Sequence, residues 1–310
     1  MVPIASIVSV VLYSLYGFYS FYDFYNLYIP YQKIMNKIAI GIDVGISTTK
    51  IVGIRDGEVV SPLWIKATDP VTSLYGAFGK FLHDNDIALD DVERVMLTGV
   101  GAAYINSPIY GLTTQKVEEF IADGLGAAFE SKLNRMIVVS MGTGTSLVSY
   151  QDGAIRHLGG IGIGGGTLNG LSRLLLQTDD IKQISEMAMQ GDTRKINLSI
   201  GDISANPLPG LPMDATASLF ANAQGNASRE DIAKGLICMV LQTIGSASIL
   251  SSLNSGIRDF VLIGNLSRLP QCKELYPYLE RIYDVRFIIP KSSEFCTAIG
   301  AALSYVNNKK

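Results

Sequence analysis

The sequence predicts an α/β protein with two similar lobes that face each other across a cleft. The first observation is the stretch "IAIGIDVGISTTKIVGI", from Ile38 to Ile54, in which a tight polar turn separates two apolar runs. This pattern is typical of two strands joined as a hairpin. The second observation is that the pattern returns about one lobe later, in "RMIVVSMGTGTSLVSYQDG". A duplicated hairpin, with helical segments between the copies, indicates two α/β lobes.

The first hairpin is followed by further strands and helices. "DGEVVSPLWIKA" predicts a turn and a third strand, and "VTSLYGAFGKFLHDND" has apolar residues at helical spacing. "VERVMLTGVGAAYI" predicts a strand over Val95–Thr98 that ends at Gly99 and Gly101. We expect "TTQKVEEFIADGLGAAFES" to be helical, with Thr113 or Thr114 as its N-cap.

The second half continues the alternation after a glycine-rich loop. "IRHLGGIGIGGGTLNGLSRLLLQ" predicts a loop that runs into a helix from about Thr167, and "IKQISEMAMQ" predicts another helix. The Pro-rich "SANPLPGLPMDATASL" predicts a loop with a short helix after Asp214. Strands in "DFVLIGN" and "VRFIIP" precede a closing helix in "EFCTAIGAALSYV". In the long apolar helix of "REDIAKGLICMVLQTIGSASILSSL", Lys234 and Gln242 favour a core or subunit-interface position over a membrane span.

Composition excludes several classes of protein. With 48% hydrophobic and 17% charged residues among 310, the chain is globular and not disordered. A formal net charge of −3 and scattered Lys and Arg argue against a nucleic-acid surface. Cys238, Cys272 and Cys296 lack metal-ligand spacing, which favours reduced thiols in a cytoplasmic protein.

The N-terminal stretch differs from the rest of the chain. It carries no charged residue before Asp23 and is long enough to span a bilayer, but it lacks the basic region and cleavage site of a signal peptide. It is a membrane anchor, an interfacial segment, or an upstream stretch wrongly joined to the reading frame. Met35 is a natural start, so we expect residues 1–34 to lie outside the fold and membrane association only if this extension is genuine.

The first hairpin turn has the chemistry of a phosphate site. Backbone N–H groups in a Gly/Ser/Thr turn form an anion nest, and Lys50 can add a positive charge. Asp43 would repel phosphate unless a cation lay between them, and Mg²⁺, held through water and a carboxylate, is the natural bridge. The spacing of a P-loop is absent. An ordinary hairpin with a surface Lys is the alternative.

Two further turns strengthen this interpretation. "GTGTS", from Gly142 to Ser146, is a second nest, and "GGGTLNGL", from Gly164 to Leu171, places glycines at a helix start, where N–H groups and the helix dipole favour phosphate. Each turn alone could be an ordinary turn or a site of close packing. Three such turns in two lobes indicate a nucleotide clamped between the lobes.

Glu118 and Glu119 are candidates for the general base. They lie on the predicted helix between the hairpins, and a single carboxylate in a closing cleft can accept a proton from an alcohol. Two solvated helix charges are the alternative. His83 is expected at the surface, whereas His157 precedes the glycine-rich loop and could reach a substrate anion.

Taken in order, these motifs resemble the type II pantothenate kinases. The segments are "GIDVGISTTKIVGI", "VMLTGVGA", "KVEEFIADGLG", "MGTGTS", "LGGIGIGGGTLNGLSRLLLQ", "KQISEMAMQGD", "DATASLFAN", "VLIGN" and "AIGAAL". The resemblance extends from Met35 to the C-terminus. It implies two ribonuclease H-like lobes, residues 35–133 and 134–310, of the actin-like ATPase/sugar kinase fold, with a nucleotide in the interlobe cleft. It also implies a cytoplasmic homodimer that uses ATP and Mg²⁺ to convert pantothenate into 4'-phosphopantothenate, the first step of coenzyme A biosynthesis.

The resemblance also assigns residues to roles. Glu119, directly before Phe120, matches the catalytic base, with Lys50 as its catalytic partner, and Asp43 would hold Mg²⁺ through water. Glu119 and Thr143 would contact the substrate. The implied nucleotide contacts are Asp43, Val44, Gly45, Ile46, Ser47, Thr48, Thr49, Lys50, Thr143, Gly165, Gly166, Thr167, Leu168, Asn169, Ile181 and Asn265.

Two departures concern the substrate and the nucleotide. His157 stands where the family usually has an Arg that helps to hold the acidic substrate, and Ile181 replaces a family Tyr near the ATP site. We expect Arg156 to compensate through its long side chain, or His157 to hold the anion alone. The enzyme alternative is a related kinase acting on a sugar or another small acid, and a different class is a non-catalytic nucleotide or acyl-CoA sensor.

Overall fold

The structure is a computed structural model that describes residues 37–67, 69–206, 208–223 and 225–307. The expectations for residues 1–34 lie outside the described residues. The described chain forms two five-stranded sheets, a short two-stranded ribbon, and helices that pack on the sheets.

The first sheet has the strand order β3-β2-β1-β4-β5. Its first three strands form an antiparallel meander, and β4 and β5 join it in parallel. Its core side contains Ile40, Ile42 and Leu97, which pack against Phe78 and Phe81 of the first helix. The bounds are β1 (Ile38–Val44), β2 (Thr48–Arg55), β3 (Glu58–Lys66), α1 (Pro70–Asp84), β4 (Val92–Thr98) and β5 (Thr114–Lys116).

The second sheet has the order β12-β11-β6-β7-β8, which is the same topology. Strands β6, β7 and β8 form the antiparallel meander, and β11 and β12 add in parallel. The bounds are α2 (Glu119–Ser131), β6 (Arg135–Met141), β7 (Thr145–Gln151), β8 (Ala154–Ile161), α3 (Gly165–Leu176), α4 (Ile181–Ala188), β9 (Leu198–Ser199), α5 (Ile200–Ile203), β10 (Thr216–Ser218), α6 (Arg229–Ser252), β11 (Asp259–Ile263), α7 (Cys272–Tyr283), β12 (Arg286–Ile288) and α8 (Cys296–Val306).

Helix α6 is the long apolar helix that the sequence predicts. Within the described residues it is long and apolar enough to cross a membrane by length and composition, but 56% of that stretch is buried inside the structure. Ile237, Leu241 and Ile244 belong to the same cluster as Val139 and Phe260 of the second sheet. The helix therefore lies in the core of this lobe.

Helices α2 and α8 pack against each other between the two sheets. The last helix, α8, packs on β1, β2 and β4 of the first sheet, whereas α2 contacts β6, β7, β8 and β11 of the second. A Cβ at Gly126 would lie 1.8 Å from the Cys296 carbonyl oxygen, and one at Gly300 would lie 1.7 Å from that of Ala122. The glycines therefore permit backbone contact between the helices. The division at residues 133/134 remains a prediction, and α8 packs across it.

Three expectations about local structure are wrong. Thr113 and Thr114 do not cap a helix, because Thr114–Lys116 pairs with β4 and the helix begins only at Glu119, with Glu118 as N-cap. Residues Thr216–Ser218, expected near a short helix, form β10 and pair with β9. The glycine-rich segment is not a loop throughout, because Ala154–Ile161 pairs with β7 before α3 starts at Gly165.

Candidate active site

The first hairpin places two side chains of opposite charge, an Asp and a Lys, directly opposite each other. Asp43 of β1 pairs in register with Lys50 of β2, and the Lys50 Nζ lies 3.7 Å from the Asp43 Oδ2. Both side chains are buried. Burial raises the pKa of Asp43, and the charge of Lys50 opposes this rise. In the turn, Gly45 N donates to Thr48 O at 3.0 Å, which leaves Ile46 and Ser47 exposed at the tip.

The second hairpin is joined to the start of α3. Gly165 N donates to Gly142 O at 2.8 Å, and Gly166 N donates to Thr143 O at 2.9 Å. Gly164 fits because it has no side chain: a Cβ there would lie 2.6 Å from Thr143 O. The second and third glycine-rich turns of the sequence are therefore hydrogen-bonded to each other in the described structure.

Both hairpin turns open onto one cavity of about 780 Å³. Its walls come from both sheets, and Asn265 Nδ2 donates across the cleft to Thr48 Oγ1 at 3.5 Å. The cavity contains most of the residues assigned by resemblance. These are Asp43, Gly45, Ile46, Ser47, Thr48, Lys50, Glu119, Thr143, Gly165, Gly166, Asn169, Ile181 and Asn265.

Four assigned nucleotide contacts do not line the cavity. Val44, Thr49 and Leu168 are fully buried, because strand alternation or the inner face of α3 turns them into the core. The Thr167 hydroxyl caps its own helix, donating to Gly162 O at 3.0 Å and accepting from Gly164 N at 3.3 Å. Their roles as nucleotide contacts remain predictions.

Glu119, the first residue of α2, faces the cavity, while Glu118 occupies the N-cap and does not line it. Desolvation raises the pKa of the Glu119 carboxyl, the charge of Asp43 raises it further, and Lys50 lowers it. A carboxyl whose pKa is raised in this way is a better proton acceptor once ionised. The geometry therefore distinguishes the two neighbouring glutamates, which the sequence pattern alone could not.

Sequence reasoning missed Asp123 and Ser140. Ser140 is at the end of β6 and lines the cavity. Asp123 lies one helical turn after Glu119 and is only 1% exposed. The signal for Asp123 was present in the sequence, since an acid four residues after the candidate base shares its helix face. The smaller lining residues Gly99, Gly160 and Gly162 were also not assigned as contacts.

Strand β8 separates Arg156 from His157. His157 pairs opposite Val148 and Arg156 opposite Ser149, so their side chains point to opposite faces of the sheet. The His157 ring stacks on Phe120 of α2, with centroids 5.7 Å apart and planes at 24°. Neither residue lines the cavity, but His157 lies beside the residue that follows Glu119. The geometry therefore favours His157 over the expected compensation by Arg156.

The donor set fits a nucleotide with its own cation better than a protein-only metal site. The described residues contain no cluster of three or more His, Cys, Asp or Glu side chains that could hold a metal. Mg²⁺ in a nucleotide site needs only one or two carboxylates, because phosphates and water complete its shell, and Asp43 and Glu119 face the cavity. Asn169, another lining residue, has a buried Oδ1 with no partner among the described residues, which leaves it free for a ligand.

Solved structures define the class to which this two-lobed arrangement belongs. One similar structure is the activator of the 2-hydroxyisocaproyl-CoA dehydratase from Clostridium difficile, with bound ADPNP. The superposition covers 87% of this chain and 95% of the activator chain, with a TM-score of 0.64 and 18% sequence identity. Another is the ROK hexokinase from Thermus thermophilus. That superposition covers 87% of this chain and 99% of the hexokinase chain, with a TM-score of 0.53 and 11% sequence identity. The chain thus has the actin-like ATPase and sugar kinase fold.

Sequence comparisons identify the family. The family model described as Fumble matches residues 127–274. A type II pantothenate kinase from Staphylococcus aureus (strain USA300) is 31% identical over 212 residues, which cover 66% of this chain and 74% of the relative. The relative from the bovine strain RF122 / ET3-1 gives the same values. The chain belongs to the type II pantothenate kinase family, and it is an ATP-dependent kinase.

Proposed function

We propose that this protein transfers the γ-phosphoryl group of ATP to pantothenate and forms 4'-phosphopantothenate, the first step of coenzyme A biosynthesis. The relatives named type II pantothenate kinase support the substrate. The observation that carries the reaction is that Glu119 and Lys50 line the same cavity as the turn Gly142–Ser146, which is the second phosphate loop of this proposal. We also propose a cytoplasmic homodimer with lobes at residues 35–133 and 134–310.

In this proposal the two hairpins bind the triphosphate from opposite sides. Lys50 supplies a fixed positive charge, and backbone N–H groups of the two turns supply neutral donors. Mg²⁺, when bound near Asp43 through water, would neutralise part of the phosphate charge. Catalysis in such a site is mostly positioning and charge stabilisation. Asn169, Ile181 and Asn265, which also line the cavity, are proposed to contact the rest of the nucleotide.

Glu119 is the proposed base. Its carboxylate accepts the proton of the substrate hydroxyl while the oxygen forms a bond to the γ-phosphorus and the bond to the ADP oxygen breaks. Thr143, in the second phosphate loop, orients the γ-phosphate or the substrate hydroxyl. His157, beside Phe120, is the proposed contact for the substrate carboxylate in place of the family Arg.

The test is a turnover screen with the purified full chain. ADP release is measured with Mg-ATP and, separately, pantothenate, N-acetylglucosamine or an acyl-CoA, and acyl-CoA binding is measured by calorimetry. We expect saturable turnover with pantothenate and a product that carries one phosphoryl group. Turnover with the sugar alone would assign a related kinase activity, and acyl-CoA binding without any turnover would assign a sensor; either result contradicts the proposal.

A further inference from the structure

Asp123 is a buried carboxyl group that the proposed reaction does not use. It lies four residues after Glu119 on α2, so the two carboxyl groups share one helix face. Its Oδ1 accepts a hydrogen bond from Thr297 Oγ1 of α8 at 2.7 Å. Its Oδ2 is buried and has no partner of normal geometry in the described part of the chain. Leaving a charged carboxylate in this state costs much more free energy than leaving a protonated carboxyl there.

The groups around Asp123 also oppose its ionisation. Together these groups raise the pKa of Asp123 to about 7: desolvation is the largest influence, and the charges of Glu119 and Asp43 act in the same direction. The hydroxyls of Thr297 and Ser140 act in the opposite direction. The other titratable groups nearby are Cys296 on α8, whose thiol senses the charge of Asp123, and His157 of β8, which stacks on the same helix.

The position of Asp123 connects three elements that must stay in register. Its own helix carries Glu119, Thr297 lies on the neighbouring helix α8, and Ser140 is the penultimate residue of β6, two residues before the turn Gly142–Ser146. The close approach at Gly126 and Gly300 fixes the two helices one turn further along. A change at this carboxyl group would therefore move Glu119 relative to the phosphate loop.

We propose that Asp123 is a positioning residue that works as the neutral acid: it holds the helix of Glu119 against α8 and β6, and its retained proton leaves Glu119 as the ionised carboxyl of the pair. This inference rests on the proposed function only in taking Glu119 as the base and the cavity as the ATP site. It does not depend on which acceptor is phosphorylated.

Direct binding of a non-hydrolysable ATP analogue with Mg²⁺ tests the inference without an acceptor. The dissociation constant is measured by calorimetry from about pH 6 to about pH 8.5 for the full chain and for Asp123→Asn, which keeps the shape and the acceptor for Thr297. We expect the affinity of the unmodified protein to fall on the order of tenfold more than that of the variant, because a new negative charge appears near the triphosphate. Protonation of the analogue itself is common to both proteins and cancels in the comparison.

Equal decreases in affinity in the two proteins would overturn the inference, since they would mean that Asp123 does not titrate in this range.

Thr297→Val and Thr297→Ser supply a second test. The Thr297 hydroxyl stabilises the ionised carboxylate, so the Val variant should move the midpoint of the affinity change to higher pH, and the Ser variant should not. An unmoved midpoint in both variants contradicts the inference. Absence of turnover with pantothenate, by contrast, would leave these binding curves intact and count only against the proposed function.

Thermal stability gives an independent reading. A carboxyl whose pKa rises from 3.8 to about 7 on folding keeps a proton that the unfolded chain has already released. The contribution of Asp123 to the free energy of unfolding therefore falls as pH rises from about 4 to about 7 and is constant above that range. Asp123→Asn lacks this fall, so its melting temperature relative to the unmodified protein should be higher at pH 8 than at pH 5. The same difference at both pH values would contradict the inference.

Discussion

The two lobes share a strand order but differ in what their hairpins present to the cavity. In each lobe a glycine with positive φ follows the parallel neighbour of the first strand, Gly99 at +84° and Gly264 at +88°. A Cβ at Gly99 would lie 2.7 Å from Val44 O, and one at Gly264 would lie 2.7 Å from Met141 O. These contacts make Val44 and Met141 structural counterparts.

With the lobes aligned in this way, the Asp43–Lys50 pair of the first hairpin corresponds to the Ser140–Ser146 pair of the second. One hairpin therefore carries the buried charges, and the other carries hydroxyls and a glycine turn joined to α3. The comparison teaches that one strand order can present two different chemistries. In the proposed function the first hairpin supplies charge, and the second supplies a backbone surface.

The largest expected effect is at Glu119, whose carboxyl on α2 senses the charges of Asp43 and Lys50 of the first hairpin. Glu119→Gln should keep ATP binding and lower kcat by about 10²–10⁴-fold, the usual contribution of general base catalysis. The matched control is Glu118→Gln, which changes the adjacent N-cap carboxylate outside the cavity. Steady-state kinetics check both. Loss of turnover in the Glu118 variant with a nearly normal Glu119 variant would show that the base is assigned to the wrong residue.

Replacing the charged pair of the first hairpin by the serine pair of the second should have the next largest effect on turnover. Lys50→Ser leaves Asp43 buried without its partner, so the melting temperature should fall. Adding Asp43→Ser copies the serine pair of the second hairpin and should recover stability, while turnover stays about 10²-fold down, the scale of one positioned electrostatic group. Thermal melts and turnover check this pair. Recovery of activity in the double variant would mean that the charges are not what distinguishes the hairpins.

A smaller effect is expected when the backbone surface of the second lobe is disturbed. A methyl group at Gly164 would lie 2.6 Å from Thr143 O and 2.8 Å from Gly144 Cα, so Gly164→Ala must displace the phosphate loop. We expect kcat/KM for ATP to fall about tenfold through misplacement of the loop. Gly170→Ala, in the same helix and with nothing within 4 Å of its Cβ, is the control. Equal kinetics in the two variants would argue against a role for loop position.

The smallest effect concerns the contact proposed for the substrate carboxylate. His157→Arg should lower the KM for pantothenate, because a guanidinium offers a permanent, forked donor. Arg156→Ala should leave this KM almost unchanged, because β8 turns Arg156 to the opposite face. If the Arg156 variant instead raises KM sharply, the strand does not keep the two side chains apart in the working enzyme.

Local patterns in the sequence predicted the strands and helices of the fold better than they predicted the residues of the candidate active site. The apolar runs around Asp43 and around Thr143 are long enough to identify both hairpins, and motif resemblance then selected Glu119 over Glu118. Strand β5 was missed because its three residues are defined by pairing with β4 and not by their own periodicity. The spacing of Asp123 from Glu119 was visible in the sequence, but its burial was not, because that depends on Thr297 of the last helix, a contact 174 residues away in sequence.

A crystal structure with a non-hydrolysable ATP analogue, Mg²⁺ and pantothenate tests the division of work between the lobes most directly. The account predicts that the triphosphate lies between the turn at Gly45–Thr48 and the turn at Gly142–Ser146, with Lys50 on its first-lobe side. It also predicts that the hydroxyl of pantothenate lies within hydrogen-bond reach of Glu119. A triphosphate bound outside these two turns, or a hydroxyl that contacts no carboxylate of α2, would contradict it.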